Sequence, residues 1–286
     1  MDMSHLIVVG IGELLWDIFP TGKRAGGAPA NFVYHACAQG VQGYAISAVG
    51  KDDLGEELLD VLDKNHIRYL CEKVDYPTGQ VQVTLTNGQP SYNIVENVAW
   101  DHIPLTPQAL EIVQHAQAVC FGSLALRNPA SRQTILSLLK NTSSQAIRFF
   151  DVNLRQHYYS KELIEQLLTY ANVFKINDEE LAVLSDMFEL TGSENEKCQT
   201  LLTKYRLRYL VLTAAEKYSV IYGPGEVSRL QTPRVEVADT VGAGDSFSGA
   251  FVASILAGKT LRQAHEQAVK TAAFVCTKTG AWPAYH

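Results

Sequence analysis

The sequence predicts an α/β protein in which a mostly parallel sheet carries helices on both faces and a smaller β sheet stands apart from it. Two observations predict the large sheet. Short apolar runs alternate with amphipathic helical segments along the chain, and the glycine-rich or polar stretches that could meet a ligand stand where a run ends or a helix begins. A third observation predicts the small sheet: one stretch abandons this alternation for residues that are apolar and polar by turns, as in a hairpin.

The elements follow in order. Leu6 to Val9 reads as the first strand, and Gly12 lets the chain leave the sheet edge. Glu13 to Phe19 is extended in character and is a candidate for the small sheet. Gly26-Gly27-Ala28-Pro29-Ala30-Asn31 opens a helix, with Pro29 suited to a first-turn position and two glycines that favour close approach of a ligand. Tyr44 to Val49 is a strand, and Asp53 to Lys64, with Leu54, Leu58, Leu59 and Leu62 on one side, is a helix. Gln80 to Thr86 and Ser91 to Val95, joined across Asn87-Gly88, form the predicted antiparallel hairpin. With no covering helix of its own, that sheet either caps the core or pairs with another subunit.

Ala118 to Phe121 and Ile147 to Phe150 are strands, separated by the helix Pro129 to Lys140. Asp151-Val152-Asn153-Leu154-Arg155 follows the second of these. Val173 to Ile176 is a strand followed by Asn177-Asp178-Glu179-Glu180, and Tyr209 to Leu212 is another. Both polar stretches stand at the carboxyl ends of parallel strands, where open α/β sheets bind ligands. Asp178 and Glu179 read as first-turn acids favoured by the helix dipole.

The most informative stretch is Asp239-Thr240-Val241-Gly242-Ala243-Gly244-Asp245-Ser246-Phe247, a glycine-rich turn feeding a small-residue helix that runs on through Phe251 to Leu256. Unpaired N–H groups at such a helix start, backed by the dipole, bind an anion, most naturally a phosphate. A carboxylate inside an anion cradle suits a general base that takes a proton from a hydroxyl attacking a phosphoryl group. As structure alone, Asp245 would be an N-cap.

Other motifs carry less. Ala253-Ser254-Ile255-Leu256-Ala257-Gly258-Lys259-Thr260 approaches a Walker A loop but follows a helix and lacks the first glycine, so Gly258 reads as a helix end and Thr260 with Gln263 as a capping box. Gly10-Ile11-Gly12 lacks the third glycine of a dinucleotide fingerprint. The histidines show no ligand spacing, and His265-Glu266 lacks the second histidine of a zinc protease.

Bulk properties narrow the class of function. At 286 residues, with 47% hydrophobic and 19% charged side chains, the chain can bury a substantial core. A net charge of -6 and the absence of a basic stripe argue against nucleic-acid binding and for a small ligand. Five scattered cysteines, never spaced C-x-x-C, make neither a disulfide framework nor a zinc site and read as reduced, mostly buried thiols. No stretch approaches the length of a membrane span and the start is not a signal peptide, so a cytoplasmic protein is expected.

Taken together, the Gly26 to Asn31 stretch, Asn177 with Glu180, and the Asp239 to Phe247 stretch resemble the ribokinase-like (PfkB) family of carbohydrate kinases in order and spacing. Within it the chain is most similar to bacterial fructokinases, through Gly12-Glu13 with Asp17, the Gly-Gly-Ala-Pro form of the first motif, and Asp151-x-Asn153-x-Arg155. The resemblance spans Gly10 to Pro283. It implies a single doubly wound α/β domain, 1–286, with a β lid at about 13–25 and 76–102.

The resemblance also implies an ATP-dependent kinase acting on a primary hydroxyl of a free sugar, fructose giving fructose 6-phosphate being the preferred case. Ribose, 2-keto-3-deoxygluconate or a nucleoside are the alternatives within the family, and a non-catalytic sugar-binding relative is the alternative outside catalysis. Asp245 would be the base, and the amides of Gly242, Ala243 and Gly244 would hold the transferring group. Asp17, Gly27 and Asn31 match sugar-contacting positions, Arg155 would meet substrate or phosphate, and Thr213 would offer a hydroxyl to ATP. Asn177 and Glu180 match a pair associated with Mg2+ through its water shell. Asp239, with the backbone near Val241 and Gly280, matches a site for a monovalent cation, K+. A homodimer through the lid is expected.

Two departures stand out. Val33 replaces a small residue two positions after Asn31. After the strand ending at Leu212, where relatives carry Thr-x-Gly-x-x-Gly, this chain reads Thr213-Ala214-Ala215-Glu216-Lys217-Tyr218, which predicts a looser nucleotide contact.

Overall fold

Apolar runs need partners on both faces of a sheet, and the chain supplies them in the order of its elements. A computed structural model describes residues 3–86 and 89–285. β1 (Ile7–Ile11) starts a large sheet; β2 (Leu15–Phe19) and β3 (Gly22–Gly26) leave it, and α1 (Ala28–Cys37), β4 (Gln42–Gly50), α2 (Asp53–Lys64) and β5 (Arg68–Val74) return to it. β6 (Gly79–Thr86) and β7 (Gln89–Ile94) leave again. There follow α3 (Pro107–His115), β8 (Ala118–Phe121), α4 (Pro129–Asn141), β9 (Ile147–Asp151), α5 (Lys161–Tyr170) and β10 (Val173–Asn177). The chain then runs through α6 (Asp178–Phe188), α7 (Glu194–Lys204), β11 (Tyr209–Ala214), β12 (Tyr218–Gly223), β13 (Glu226–Gln231), α8 (Ala243–Leu256) and α9 (Leu261–Cys276).

The large sheet has the order β13-β12-β11-β10-β9-β8-β1-β4-β5. From β11 to β5 every pairing is parallel, and β12 and β13 extend it as antiparallel strands. Because side chains alternate across a strand, neighbours in one run serve two different cores. Val9, Phe150 and Phe174 join a cluster with Ile135, Leu167 and Leu184 from the helices α4, α5 and α6. Val8, Phe149 and Val173 join the opposite cluster with Phe32, Leu58 and Phe251 from α1, α2 and α8. The arrangement is doubly wound, as expected.

The small sheet has the order β3-β2-β6-β7, with β2 and β6 parallel and hairpins on either side. Glu13 to Phe19 thus contributes to the small sheet through β2, and the predicted hairpin is antiparallel. Its second strand begins earlier than expected, at Gln89. The Asn87-Gly88 turn lies outside the described residues. Two anchors hold the small sheet to the core: the Trp16 indole donates to the Leu54 carbonyl at 2.9 Å, and Thr78 donates its N–H to the Asp52 carboxylate at 2.8 Å. Past β7 the chain rejoins the main core, where Trp100, in a short 3-10 turn at Ala99–His102, is fully buried.

Thr260 with Gln263 forms the capping box of α9, as read from the sequence, and the structure adds Asp52 as the cap of α2 and Asn177 as the cap of α6. Gly258, at φ 75°, ends the run after α8. The five cysteines are free; Cys120 and Cys198 are buried, while Cys37, Cys71 and Cys276 are only partly so. No helix among the described residues is long and apolar enough to cross a membrane.

Candidate active site

The carboxyl ends of the parallel strands, the start of α8 and the inner face of the small sheet enclose a cavity of about 750 Å³. Its most distinctive wall is the turn into α8. Gly242 holds the left-handed conformation at φ 77°, and a β-carbon there would come within 2.9 Å of Ala281, so both backbone and space require glycine. The Ala243 N–H is spent on the Thr240 carbonyl at 3.2 Å, whereas the amides of Gly242 and Gly244 have no backbone acceptor among the described residues. Gly242 and Gly244 line the cavity and Ala243 does not. The donor set is therefore narrower than the three consecutive amides expected.

Asp245 sits in the first turn of α8 and lines the same cavity. Burial, with the nearby Asp151 charge, pushes its carboxyl up to about 6, against the opposing pull of the Asn31 amide, Lys175 and Arg155. Asn31, in the first turn of α1, donates Nδ2 to Asp245 Oδ2 at 2.8 Å, and its Oδ1 accepts from the Trp282 indole at 2.8 Å. Part of the hydroxyl-reading capacity expected of Asn31 is thus committed to Asp245 and to the C-terminal segment. One N–H and one lone pair remain for a ligand.

Below Asp245 lies a buried ion pair. Lys175 Nζ, on β10, donates to Asp151 Oδ2 at 2.6 Å, and both side chains are 9% exposed. Ser248 adds its hydroxyl to the same Asp151 oxygen at 3.3 Å. Burial pulls the Lys175 ammonium down, but Asp151, Asp245 and Glu180 outweigh it and hold the proton on. A β-carbon on Gly244 would sit 3.3 Å from Lys175 Nζ, which places this cation directly behind the amide turn. A phosphoryl group in the turn would meet that fixed charge in a water-poor setting.

Glu13 and Asp17 line the same cavity. Burial raises the Glu13 carboxyl to about 7 and that of Asp17 to about 6, in the latter case against the pull of Arg155 and Arg24. Gly27 has φ 126°, and a β-carbon there would fall 2.3 Å from the Glu13 carbonyl oxygen, so the second glycine of the motif allows the chain to pass close to Glu13. Arg155 lines the cavity from an exposed loop. Two carboxyls, an amide and backbone groups together suit a ligand rich in hydroxyls.

Asn177, Glu180 and Thr213 lie on the remaining wall. Asn177 accepts from the Glu180 N–H at 2.7 Å, while Glu180 accepts from the N–H groups of Asn177 at 2.9 Å and Leu154 at 3.0 Å. The pair is thus a capping box as well as a cavity wall. Burial and Asp151 raise the Glu180 carboxyl. One carboxylate and one amide beside a phosphate site fit magnesium, which keeps several waters and takes few protein ligands. No cluster of three or more His, Cys, Asp or Glu able to hold a metal occurs among the described residues.

Asp239 does not line the cavity. Its Oδ2 accepts from Arg24 at 2.9 Å and from the Gly280 N–H at 3.1 Å, and its Oδ1 accepts from the Val241 N–H at 3.1 Å. The Arg24 guanidinium thus meets its charge at the position where the resemblance implies a monovalent cation. On the other side, Ala215 adopts φ 42° in the turn between β11 and β12, at the first position where glycine was expected. Tyr218 opens β12 and carries its hydroxyl to Glu194 at 2.6 Å.

The sequence reading passed over Lys175 and Trp282. A lysine inside the apolar run Val173-Phe174-Lys175-Ile176 of a parallel strand was the available signal, since such a charge is buried and must be paired. Trp282 gave none, because its partner is 251 residues away.

The pfkB family carbohydrate kinase model matches residues 12–285. The uncharacterized sugar kinase PH1459 of Pyrococcus horikoshii is 30% identical over 99% of this chain and 94% of its own length. Its structure in complex with ATP superposes with a TM-score of 0.83 at 29% identity, covering 97% of this chain and 94% of that one. The ATP-dependent 6-phosphofructokinase of Thermoanaerobacterium thermosaccharolyticum is 26% identical over 98% of this chain and 91% of that protein. Fructokinase-2 of Solanum lycopersicum is 26% identical over 98% and 93%.

Proposed function

The chain belongs to the pfkB family of carbohydrate kinases and is a phosphotransferase acting on a sugar hydroxyl, and from that premise we propose that it transfers the γ-phosphoryl group of ATP to a primary hydroxyl of free fructose, giving fructose 6-phosphate. The observation that carries the reaction is Asp245: a carboxyl raised to about 6, in the first turn of α8, beside glycine amides with no backbone acceptor among the described residues. A base with that affinity is ionised at neutral pH and still accepts a proton readily as the hydroxyl attacks.

In this reading the acceptor lies against Asp17, Gly27 and Asn31, with Glu13 behind them, and its hydroxyl points at Asp245. Asp245 takes the proton as the oxygen bonds to phosphorus, and ADP leaves with the electron pair of the broken bond. The Gly242 and Gly244 amides and the Lys175 charge meet the oxygens on which charge builds. Arg155 reaches the same space from the open side. Asn177 and Thr213 face the nucleotide. Magnesium, held through water by Glu180 and Asn177 and by the phosphates, would neutralise phosphate charge in a cavity that otherwise carries many carboxyls.

The acidic lining of the cavity supports a free sugar over a sugar phosphate. Glu13 and Asp17 would face a second phosphate with like charge, whereas hydroxyls donate to them without conflict. The small sheet serves as the lid over the acceptor, and a second copy of the chain pairs with it. Its outer strands, β3 and β7, each have one unpaired edge among the described residues.

A coupled assay for ADP release with fructose, ribose, 2-keto-3-deoxygluconate, a nucleoside and fructose 6-phosphate tests the proposal. Fastest turnover per acceptor concentration is expected with fructose. Faster turnover with fructose 6-phosphate would overturn the substrate, and no release with any acceptor would overturn the reaction.

A further inference from the structure

The carboxylate that would act as base is addressed by a single side-chain amide, and that amide is held from behind. Asn31 donates Nδ2 to Asp245 Oδ2 at 2.8 Å, and its Oδ1 receives the Trp282 indole N–H at 2.8 Å. An indole nitrogen only donates and a carboxylate only accepts, so the two contacts demand the same orientation of the amide between them. Turned over, the amide would set oxygen against carboxylate and NH2 against indole N–H, forfeiting both bonds.

Trp282 is itself fixed. The segment carrying it is tied at Gly280 to the Asp239 carboxylate at 3.1 Å and at the Pro283 carbonyl to the Tyr34 hydroxyl at 2.8 Å. The Tyr285 hydroxyl meets His35 Nδ1 at 2.6 Å, and the rings of Tyr34 and Trp282 lie 6.2 Å apart. Ala281 packs beneath Gly242 at the start of α8. The segment therefore touches α1 and the anion turn at once, with the indole between them.

We propose that Trp282 is a positioning residue for phosphoryl transfer: its indole N–H locks the Asn31 amide so that the nitrogen faces the Asp245 carboxylate. The inference rests on Asp245 being the base. It makes the C-terminal segment part of the active site, acting through one amide.

The consequence is electrostatic. Around Asp245 stand Asp151 from β9, whose charge disfavours its ionisation, and Lys175 from β10 and Arg155 from the loop after β9, which favour it; Glu13 from the loop after β1 and the Cys120 thiol of β8 also face it, and its charge holds their protons on to higher pH. The Asn31 donor, like Lys175 and Arg155, favours the Asp245 charge. Without the indole the amide is free to turn, the donor is lost for part of the time, and the carboxyl holds its proton to higher pH.

Trp282→Phe keeps the ring and removes the N–H. In the sugar-free protein, the carbon-13 titration of the Asp245 carboxyl is expected to move up by a fraction of the roughly one pH unit that one wholly lost hydrogen bond to a charged group would give. The acid limb of kcat/KM should move with it. Asn31→Ala, which removes the donor altogether, should cause the larger shift, and adding Trp282→Phe to it should cause no further one, because the two act through one contact. In the wild type, the Trp282 indole N–H resonance should respond to the same titration.

A purely structural tryptophan would lower Tm and leave the Asp245 titration in place, which would overturn the proposal. So would an equal shift from Trp282→Phe in the Asn31→Ala background, or an indole resonance indifferent to the titration. Because the titration is read without sugar or nucleotide, a protein that transferred no phosphoryl group would defeat the functional reading and still test this one.

Discussion

At the scale of single residues the account turns on carboxyls whose protons are held late. Asp245, raised to about 6, must be ionised to act, so turnover is expected to be full above that pH and to fall as pH drops through about 6. A pH profile of kcat/KM measures this, and a flat profile down to pH 5 would contradict it. Asp245→Asn should lower kcat by about 10² to 10⁴ while sugar affinity changes little, since the carboxylate acts mainly as the hydroxyl loses its proton. A variant keeping more than about a tenth of the rate, with chemistry limiting, would remove Asp245 from the mechanism. Glu13 predicts a cost in stability. Its carboxyl rises from 4.5 to about 7 on folding, so the folded chain binds the extra proton between those values and loses stability as pH rises through that window. Glu13→Gln should therefore gain on the wild type by about 2 to 3 kcal/mol at pH 8 and by little at pH 4.5, as read by urea denaturation. Asp245, Asn31, Gly27 and Gly242 were legible in the sequence because each stands in a motif whose backbone demands can be stated. Lys175 gave a weaker sign, and Trp282 none, because a contact across most of the chain leaves no local pattern.

At the scale of elements, the starts of α1 and α8 do most to build the site, and both were legible from glycine and proline placement. The strands from β8 to β11 fell where apolar runs stood, because strands buried on both faces carry few polar interruptions, here Lys175 and the half-buried Arg148. β5 and the β12–β13 hairpin were not anticipated. β5 carries Arg68, Glu72 and Lys73 on the sheet edge, and β13 is mostly exposed, so neither shows a buried run. The β11–β12 turn is the element where sequence and backbone conflict. Ala215 keeps a left-handed φ of 42° that glycine would hold without strain. Ala215→Gly should raise stability by about 0.5 kcal/mol, the relief of strain being partly offset by a freer unfolded chain. It should also lower KM for ATP without altering the preference among sugars. An unchanged KM would show that the methyl group does not limit the approach of the nucleotide.

At the scale of the whole molecule, two sheets with unlike exposure meet over one cavity. The large sheet is covered on both faces by its own helices, while the small sheet ends in two strands that pair on one side only. That asymmetry predicts a homodimer through the small sheet, to be checked by sedimentation at micromolar concentration; a monomer throughout would contradict it. The cavity gathers Asp245, the amide turn, Glu13 and Asp17 from segments scattered between Glu13 and Asp245, and the central claim is that this gathering, with Asp245 as base, transfers a phosphoryl group to a sugar hydroxyl. Phosphorus-31 NMR of the product formed from ATP, magnesium and fructose tests it most directly. The account predicts a fructose 6-phosphate resonance growing with ADP in the wild type and all but absent with Asp245→Asn; phosphate appearing only as inorganic phosphate, or a sugar phosphate formed equally fast by the variant, would contradict it.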